Sequence, residues 1–276
     1  MTKTKSTWSG ERLETHIFTE NMAEHLHRYA FAMQFIMNKR VLDIACGEGY
    51  GSNLLAEKAS YVYGVDISNE TIVSALDKYI KPNLEFKCGS TSLIPLSDHS
   101  IDVVISFETI EHHDEHDQMM NEIIRVLKPD GLLIVSSPDK RNYSDITNHK
   151  NPFHVKELYQ NEFRNLINDY FEHVLFYDQK YISGSLILPS EEISGFKYYS
   201  GNYEKLNVNT AFNPVYNLAI ASNYILSHNP ASFFYDHKAI DAARNEISDR
   251  LTNTYTWKIA AILIKPFRFL KKILQN

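Results

Sequence analysis

The amino-acid sequence predicts an α/β fold with a mainly parallel, seven-stranded sheet and helices on both of its faces. Short apolar runs alternate with segments of helical spacing, and turns rich in glycine and proline separate them. Parallel strands need crossover connections, so this alternation is typical of a sheet covered on both sides. The predicted strands cover residues 41–46, 61–66, 84–87, 102–106, 132–136, 173–177 and 214–221.

Helical segments account for most of the remaining chain. Apolar side chains at helical spacing in residues 11–37 predict one or two helices that form a cap before the first strand. The segment 184–213, about 30 residues rich in Gly, Ser and Tyr, is too long for a simple connector and is predicted to cover the substrate. We therefore divide the chain into a helical cap at 1–38, an α/β domain at 39–224 and a helical extension at 225–276. Further helices are predicted at 53–58, 68–79, 119–127 and 155–170.

Composition and charge restrict the class of function. The chain has 276 residues, of which 43% are hydrophobic and 22% charged, as in soluble globular proteins. Its net charge of -6 argues against a nucleic-acid partner bound through a broad basic face. Two cysteines, Cys46 and Cys88, and an N-terminus without an apolar signal core predict a cytoplasmic protein with reduced thiols.

The last 26 residues of the sequence have a different charge pattern. Residues 251–276 contain no Asp or Glu, and a helix after Pro266 would place Lys265, Arg268 and Lys272 opposite an apolar face. Such a helix is typical of a peripheral contact with an anionic membrane surface. A terminal helix packed on the domain has the same pattern, and both interpretations stay open.

A glycine-rich turn follows the first predicted strand. Gly47, Gly49 and Gly51 let the backbone approach a ligand closely, and the following helix presents its N–H groups there. Asp66 ends the second predicted strand about 20 residues further on, where a carboxylate accepts hydrogen bonds from ribose hydroxyls. Enzymes that bind NAD share this arrangement, so the turn alone indicates only a nucleotide-like cofactor.

The form of the turn is more specific. The string VLDIACGEGYG at 41–51, with Asp43 four residues before the first glycine, resembles motif I of class I S-adenosylmethionine-dependent methyltransferases. GVDIS at 64–68 is similar to their motif II, and the resemblance extends to about residue 136. It implies a Rossmann-like methyltransferase fold with S-adenosylmethionine as cofactor. The residues it assigns to the cofactor are Asp43, Gly47, Gly49, Gly51, Asp66, Ile67 and Ser90, the last standing where the family usually has an acid near the adenine.

The fourth predicted strand ends in residues suited to acceptor chemistry. Glu108, Glu111 and His112 are spaced so that a helix would place them on one face. Two carboxylates and an imidazole make either a hard-metal site or a general base with an orienting acid. The pattern resembles one in ubiquinone-pathway O-methyltransferases and small-RNA 3′-end methyltransferases. That resemblance implies a divalent metal such as Mg²⁺, with His154 as a fourth ligand.

A second resemblance concerns the acceptor. Residues 10–12, 24–29, 106–112 and 151–154 are similar to methyltransferases of bacterial surface-polysaccharide gene clusters. This implies that Arg28 and Tyr29 lie near the carboxylate of the cofactor, and that the acceptor is a sugar hydroxyl or a sugar-linked phosphate. Two alternatives remain: an O-methyltransferase of a small aromatic or quinone-like substrate, and a regulatory protein that binds the cofactor without catalysis.

Overall fold

The computed structural model describes residues 20–182, 184–190, 198–201, 206–209, 213–226, 231–235 and 252–254. The chain divides into two compact units, Met1–Phe234 and Tyr235–Asn276. Residues 10–12, the basic segment after Pro266 and, within the predicted substrate cover, residues 191–197, 202–205 and 210–212 lie outside the described residues. The division of the chain at 38 and 224 stays a prediction.

The α/β architecture is confirmed, with nine strands of the described chain in one mixed sheet. Their bounds are β1 Arg40–Ile44, β2 Tyr61–Asp66, β3 Leu84–Cys88, β4 Ile101–Ser106, β5 Leu127–Pro138, β6 His173–Tyr181, β7 Ser185–Pro189, β10 Tyr216–Ser222 and β11 Ser232–Phe234. The strand order is β11-β7-β6-β10-β5-β4-β1-β2-β3. Two further strands, β8 Tyr198–Gly201 and β9 Leu206–Asn209, pair with each other in a separate antiparallel sheet.

The sheet differs from the predicted seven-stranded, mainly parallel one. The pairings from β3 to β5 are all parallel, whereas those of β10 with β5 and β6, of β6 with β7 and of β7 with β11 are antiparallel. The sequence prediction placed residues 185–189 in the substrate cover, but they form β7. Only three residues join β6 to β7, and so short a connection can join antiparallel strands but not parallel ones.

Five α-helices occur in the described residues: α1 Glu20–Ala32, α2 Tyr50–Leu55, α3 Asn69–Lys78, α4 His116–Val126 and α5 Gln160–Asn168. The Oγ of Ser68 caps α3 by accepting a hydrogen bond from the Thr71 amide at 3.3 Å. The start of α5 was predicted at residue 155 and lies at Gln160 instead. The amides of Val155 and Lys156 donate to the Glu111 carbonyl at 2.8 and 3.1 Å, which holds this segment outside the helix.

The sheet positions the site through its parallel half. The carboxyl ends of β1 to β5 meet at one edge, where ligands bind in open α/β sheets. Residues 45–49, 66–68, 89–90 and 107–112 follow these ends directly. Apolar clusters cover both faces of the sheet and hold the strands in register. None of the helices in the described ranges is long and apolar enough to cross a bilayer.

Candidate active site

The three glycines of the turn differ in the space beside their Cα atoms: one faces open space, and two are packed against side chains. Gly47 has φ +52°, and a Cβ added there would meet no atom within 4 Å. A Cβ on Gly49 would lie 2.6 Å from the Phe86 ring, and one on Gly51 would lie 2.0 Å from the Tyr29 ring. Gly47 therefore leaves space for a ligand to approach the backbone, whereas Gly49 and Gly51 make room for protein side chains. Direct cofactor contacts of the latter two stay a prediction.

Asp66 fastens this turn to the end of β2. The side chain is nearly buried; Oδ2 accepts a hydrogen bond from the Gly47 amide at 2.9 Å, and Oδ1 accepts one from the Ser68 amide at 2.9 Å. Because a carboxylate offers about four lone-pair sites, both oxygens retain acceptor capacity for ribose hydroxyls. The neighbouring Ile67 side chain is 73% exposed, which leaves an apolar surface beside the carboxylate.

Asp43 stabilises the glycine turn through hydrogen bonds with the neighbouring helices. Its carboxyl group is buried and accepts hydrogen bonds from Ser52 Oγ at 2.6 Å and from the Tyr29 hydroxyl at 3.2 Å. Burial raises the pKa of Asp43 from its ordinary value of 3.8 to about 7, and these hydrogen bonds partly oppose the rise. Asp43 thus joins β1 to α2 and α1, and Tyr29, predicted at the cofactor carboxylate, engages this buried acid.

Ser90 follows the carboxyl end of β3, and its contact with the adenine stays a prediction. The residue is half-buried, and its Oγ lies 3.2 Å from Ser92 Oγ, so the two hydroxyls share a hydrogen bond. The loop stays close to the sheet because a Cβ on the preceding Gly89 would meet the Pro95 ring at 2.5 Å. A hydroxyl therefore stands where the family usually has an acid.

The prediction that Glu108, Glu111 and His112 share one helix face after β4 is wrong. Glu108 has a positive φ of 52°, and only Ile110–His112 form a 3₁₀ turn. Glu108 therefore does not share a helix face with the other two residues. Glu111, His112 and His154 nevertheless converge, and one ligand atom from each lies within 4.8 Å of the other two. Three of the four predicted metal ligands are brought together in this way.

Hydrogen bonds orient both imidazoles. The carbonyl of Phe153 lies 3.1 Å from His112 Nδ1, and Glu157 Oε1 lies 2.5 Å from His154 Nδ1. Because both partners are acceptors, we assign the proton of each ring to Nδ1, which leaves a lone pair on Nε2. The Nε2 of His154 then accepts from the Asn151 amide at 2.9 Å. Burial lowers the pKa of His154, and the carboxylate of Glu157 partly opposes this.

Glu111 is a buried acid with a free oxygen. The residue is 1% exposed, and no described group forms a hydrogen bond with its Oε2. Burial, and then repulsion from Glu108, raises the pKa of Glu111 well above its ordinary value of 4.5. A buried carboxyl oxygen without a partner is uncommon because its desolvation is uncompensated. Glu111 therefore has the capacity to bind a cation or to take up a proton.

Arg28 is completely buried beside this cluster and fixes Glu108. Its Nη1 donates to Gln179 Oε1 at 2.8 Å and lies 3.5 Å from Glu108 Oε1, while the guanidinium lies 4.7 Å from the centre of the Tyr216 ring. Ser136 Oγ donates to the same Glu108 oxygen at 2.7 Å. Within the described residues, Nε and Nη2 of Arg28 have no hydrogen-bond acceptor. They retain donor capacity for an anionic ligand such as the predicted cofactor carboxylate.

Sequence reasoning missed several members of this site. Gln179 lies inside β6, Tyr216 begins β10 and Ser136 lies near the end of β5. Tyr143 follows β5 and stacks on His154, with ring centres 5.4 Å apart and planes inclined by 24°. The available indication of this site was Gln179: it is a polar residue buried inside β6, and a buried polar side chain needs a hydrogen-bond partner.

The donor set fits a divalent metal of intermediate hardness. Metal-bound histidines usually donate their second N–H to a carbonyl or a carboxylate, as His112 and His154 do here. Two imidazoles and one carboxylate suit Mn²⁺, Fe²⁺ or Zn²⁺ better than Mg²⁺, which prefers oxygen ligands. Without a metal, the same groups provide a general base with an orienting acid.

Comparison with known proteins gives a consistent classification. Residues 42–135 match the family model described as a methyltransferase domain. A "Probable S-adenosylmethionine-dependent methyltransferase" of Mycolicibacterium smegmatis is 34% identical over 162 residues, which are 58% of this chain and 62% of that protein. One of the same name from Mycobacterium tuberculosis is 34% identical over 166 residues, 59% of this chain and 60% of that protein. The chain thus spans about three fifths of the length of these curated relatives.

Solved structures share the fold. A SAM-dependent methyltransferase of Thermotoga maritima superposes with a TM-score of 0.54 at 18% identity, covering 74% of this chain and 92% of that one. Together with the glycine turn, this shows that the chain has the Rossmann-like α/β fold of class I methyltransferases, and residues 42–135 match a methyltransferase-domain family.

Proposed function

We propose that the protein is an O-methyltransferase that transfers the methyl group of S-adenosylmethionine to a hydroxyl or phosphate oxygen of a sugar-containing acceptor. The proposal depends on one observation: Glu111 and His112, which follow β4 at the same sheet edge as Gly47 and Asp66, form a cluster with His154 from the segment after β5. A cofactor gripped by the turn and an acceptor deprotonated by the cluster would therefore meet at this edge.

The reaction is an in-line displacement. The acceptor oxygen forms a bond to the methyl carbon while the bond from carbon to sulfur breaks, which leaves S-adenosylhomocysteine. When the acceptor is a hydroxyl, its proton passes to Nε2 of His112, which the Phe153 carbonyl keeps available as a base. Alignment of the two reactants accounts for most of the acceleration expected of such a site.

The acceptor class comes from the sequence resemblance to surface-polysaccharide methyltransferases. Two residues of the 151–154 string that carries it lie at the site: the carbonyl of Phe153 orients His112, and His154 belongs to the cluster. These contacts support a role for that string in acceptor chemistry. A cytoplasmic location, and a peripheral membrane contact through the helix that the sequence predicts after Pro266, belong to the same proposal.

A divalent metal is the alternative to acid–base chemistry in this proposal, because an ion bound at Nε2 of His112 would occupy the lone pair that otherwise accepts the proton. Glu111, His112 and His154 would hold the ion, with Nε2 of His154 giving up its hydrogen bond from Asn151, and Glu157 and the Phe153 carbonyl would orient the two imidazoles. Such an ion lowers the pKa of a bound hydroxyl and polarises a bound oxygen. Glu108, paired with Arg28 and Ser136, would stay outside the ligand set and contribute charge at the site.

Replacement of His112 tests the catalytic assignment. We expect His112→Ala to lower turnover by at least about 100-fold, the usual contribution of a general base or acid, and to leave the affinity for S-adenosylhomocysteine unchanged. His173→Ala is the matched control, because this half-buried histidine begins β6 at the opposite sheet edge. Unchanged turnover in His112→Ala would remove His112 from the mechanism.

A substrate screen tests the acceptor class. Nucleotide sugars and phosphorylated sugars are offered with S-adenosylmethionine, alongside catechols as aromatic acceptors. We expect methylation of sugar compounds only. Methylation of catechols alone would replace the proposed acceptor with an aromatic one, and cofactor binding without turnover of any acceptor would favour the regulatory interpretation.

A further inference from the structure

A cleft of about 540 Å³ opens beside His154. Its lining comes from residues 140–157, the segment that connects the carboxyl end of β5 to α5. The volume lies in the range of small-molecule sites, roughly 300–1,000 Å³. Because His154 belongs both to this lining and to the Glu111–His112–His154 cluster, the cleft borders the candidate active site at this residue.

Lysines outnumber acids in the lining of this cleft, three to two. Lys140, Lys150 and Lys156 contribute to the lining, and none of the three forms an ion pair with a described carboxylate. The two acids of the lining already have partners: Asp145 accepts a hydrogen bond from the Tyr159 hydroxyl at 3.0 Å. The other, Glu157, accepts from Ser144 Oγ at 2.8 Å and from His154. With the histidines counted as neutral, three lysines and two acids give the lining a formal charge of +1, which favours an anion in a chain of net charge -6.

We propose that the cleft binds a phosphate or diphosphate group of the methyl acceptor. Lysine binds phosphate as a point charge, without the planar geometry that arginine imposes, and none of the three lysines has an ion-pair partner among the described carboxylates to give up. The enzyme would therefore take a phosphorylated acceptor, anchored in the cleft while the atom to be methylated faces His112.

This inference rests on the proposed function, since it assigns the acceptor of the same site. It adds a binding subsite that is separate from the cofactor turn and borders the reacting groups at His154. Lys150 and Lys156 are exposed and half-buried Lys140 lies 4.9 Å from the Tyr159 ring, so the first two can be replaced without disturbing packing.

The test is calorimetric titration of the full chain with inorganic pyrophosphate at low ionic strength. We expect binding that weakens about tenfold in Lys150→Gln/Lys156→Gln, since each exposed charge contact contributes about three- to fivefold. Lys39→Gln/Lys58→Gln is the matched control: it removes two exposed lysines that lie close together at the other end of β1. Its affinity should equal that of the wild type. Absence of binding, or equal binding by both double variants, would overturn the proposal.

Two competition arms identify the source of the phosphate. Displacement of pyrophosphate by a soluble nucleoside diphosphate sugar supports a soluble acceptor, and displacement by vesicles of phosphatidylcholine and phosphatidic acid supports a lipid-linked one. S-Adenosylhomocysteine is titrated in parallel. Failure of the protein to bind it, with pyrophosphate binding retained, would refute methyl transfer and leave the anion site standing. The reverse result would refute the anion site alone.

Discussion

The buried carboxyl of Asp43 should make the stability of the protein fall as the pH rises from about 4 to 7. Its pKa is about 7 in the folded protein, against an ordinary value of 3.8, and burial is the main cause. Between these values the folded protein keeps a proton that the unfolded chain has lost. The stabilisation is therefore complete below the unfolded pKa and is lost as the pH passes through the folded one.

The magnitude follows from the size of the shift. One pKa unit corresponds to about 1.36 kcal/mol, so the full effect is on the order of 4 kcal/mol. Asp43 is only 1% exposed, so screening by solvent does not reduce this figure appreciably. The substitution Asp43→Asn removes the titration and keeps one oxygen to accept from Ser52 and Tyr29.

Urea unfolding at a series of pH values measures the effect. The free energy of unfolding of Asp43→Asn, relative to the wild type, should rise by roughly 2–3 kcal/mol between pH 5 and 7. Other titrating groups cancel in this difference. Asp77→Asn, an exposed acid on α3, is the control and should show no such trend. Parallel curves for Asp43→Asn and wild type would refute the assignment of a raised pKa to this buried carboxyl.

Further predictions concern the turn, the buried arginine and the metal. Gly51→Ala should lower the thermal unfolding midpoint, because its Cβ would meet the Tyr29 ring at 2.0 Å. Gly47→Ala should cost only about 1–2 kcal/mol of backbone strain and should mainly weaken cofactor binding. Equal unfolding midpoints for the two variants would contradict this difference. Arg28→Met should lower the free energy of unfolding in urea by about 3 kcal/mol, and adding Glu108→Gln should restore part of this loss. Additive effects of the two substitutions would show that the two groups are uncoupled. Excess chelator should suppress turnover and Mn²⁺ should restore it better than Mg²⁺, while full activity in chelator would leave only acid–base chemistry.

The cofactor half of the site could be predicted because its geometry is local. A buried strand, a glycine turn and an acid at the end of the next strand are all encoded within residues 41–66. Parallel pairing of β1 with β2 then places Asp66 beside Gly47 without any information from the rest of the chain. The sequence did not distinguish the open Gly47 from the packed Gly49 and Gly51, because that difference depends on distant aromatic rings.

The acceptor half depends on contacts between distant parts of the chain. The pairing of Arg28 with Gln179 joins α1 to β6, and the fixing of Glu108 by Ser136 joins the end of β4 to β5. Helical spacing predicted a shared face for Glu108 and Glu111, but the positive φ of Glu108 breaks that pattern. The sequence resemblance identified His154. It reaches the site because residues 155 and 156 are hydrogen-bonded to the Glu111 carbonyl and do not form the first turn of α5.

Calorimetric titration of the folded protein with S-adenosylhomocysteine tests cofactor binding by the Gly47 turn and Asp66 directly. We expect saturable binding at one site, with an affinity at least about 100-fold weaker in Asp66→Ala, since hydrogen bonds to a charged acceptor contribute roughly 1.5–3 kcal/mol each. Asp77→Asn should bind like the wild type. Absence of binding by well-folded wild-type protein, or undiminished affinity in Asp66→Ala, would contradict the claim that the Gly47 turn and Asp66 grip the cofactor.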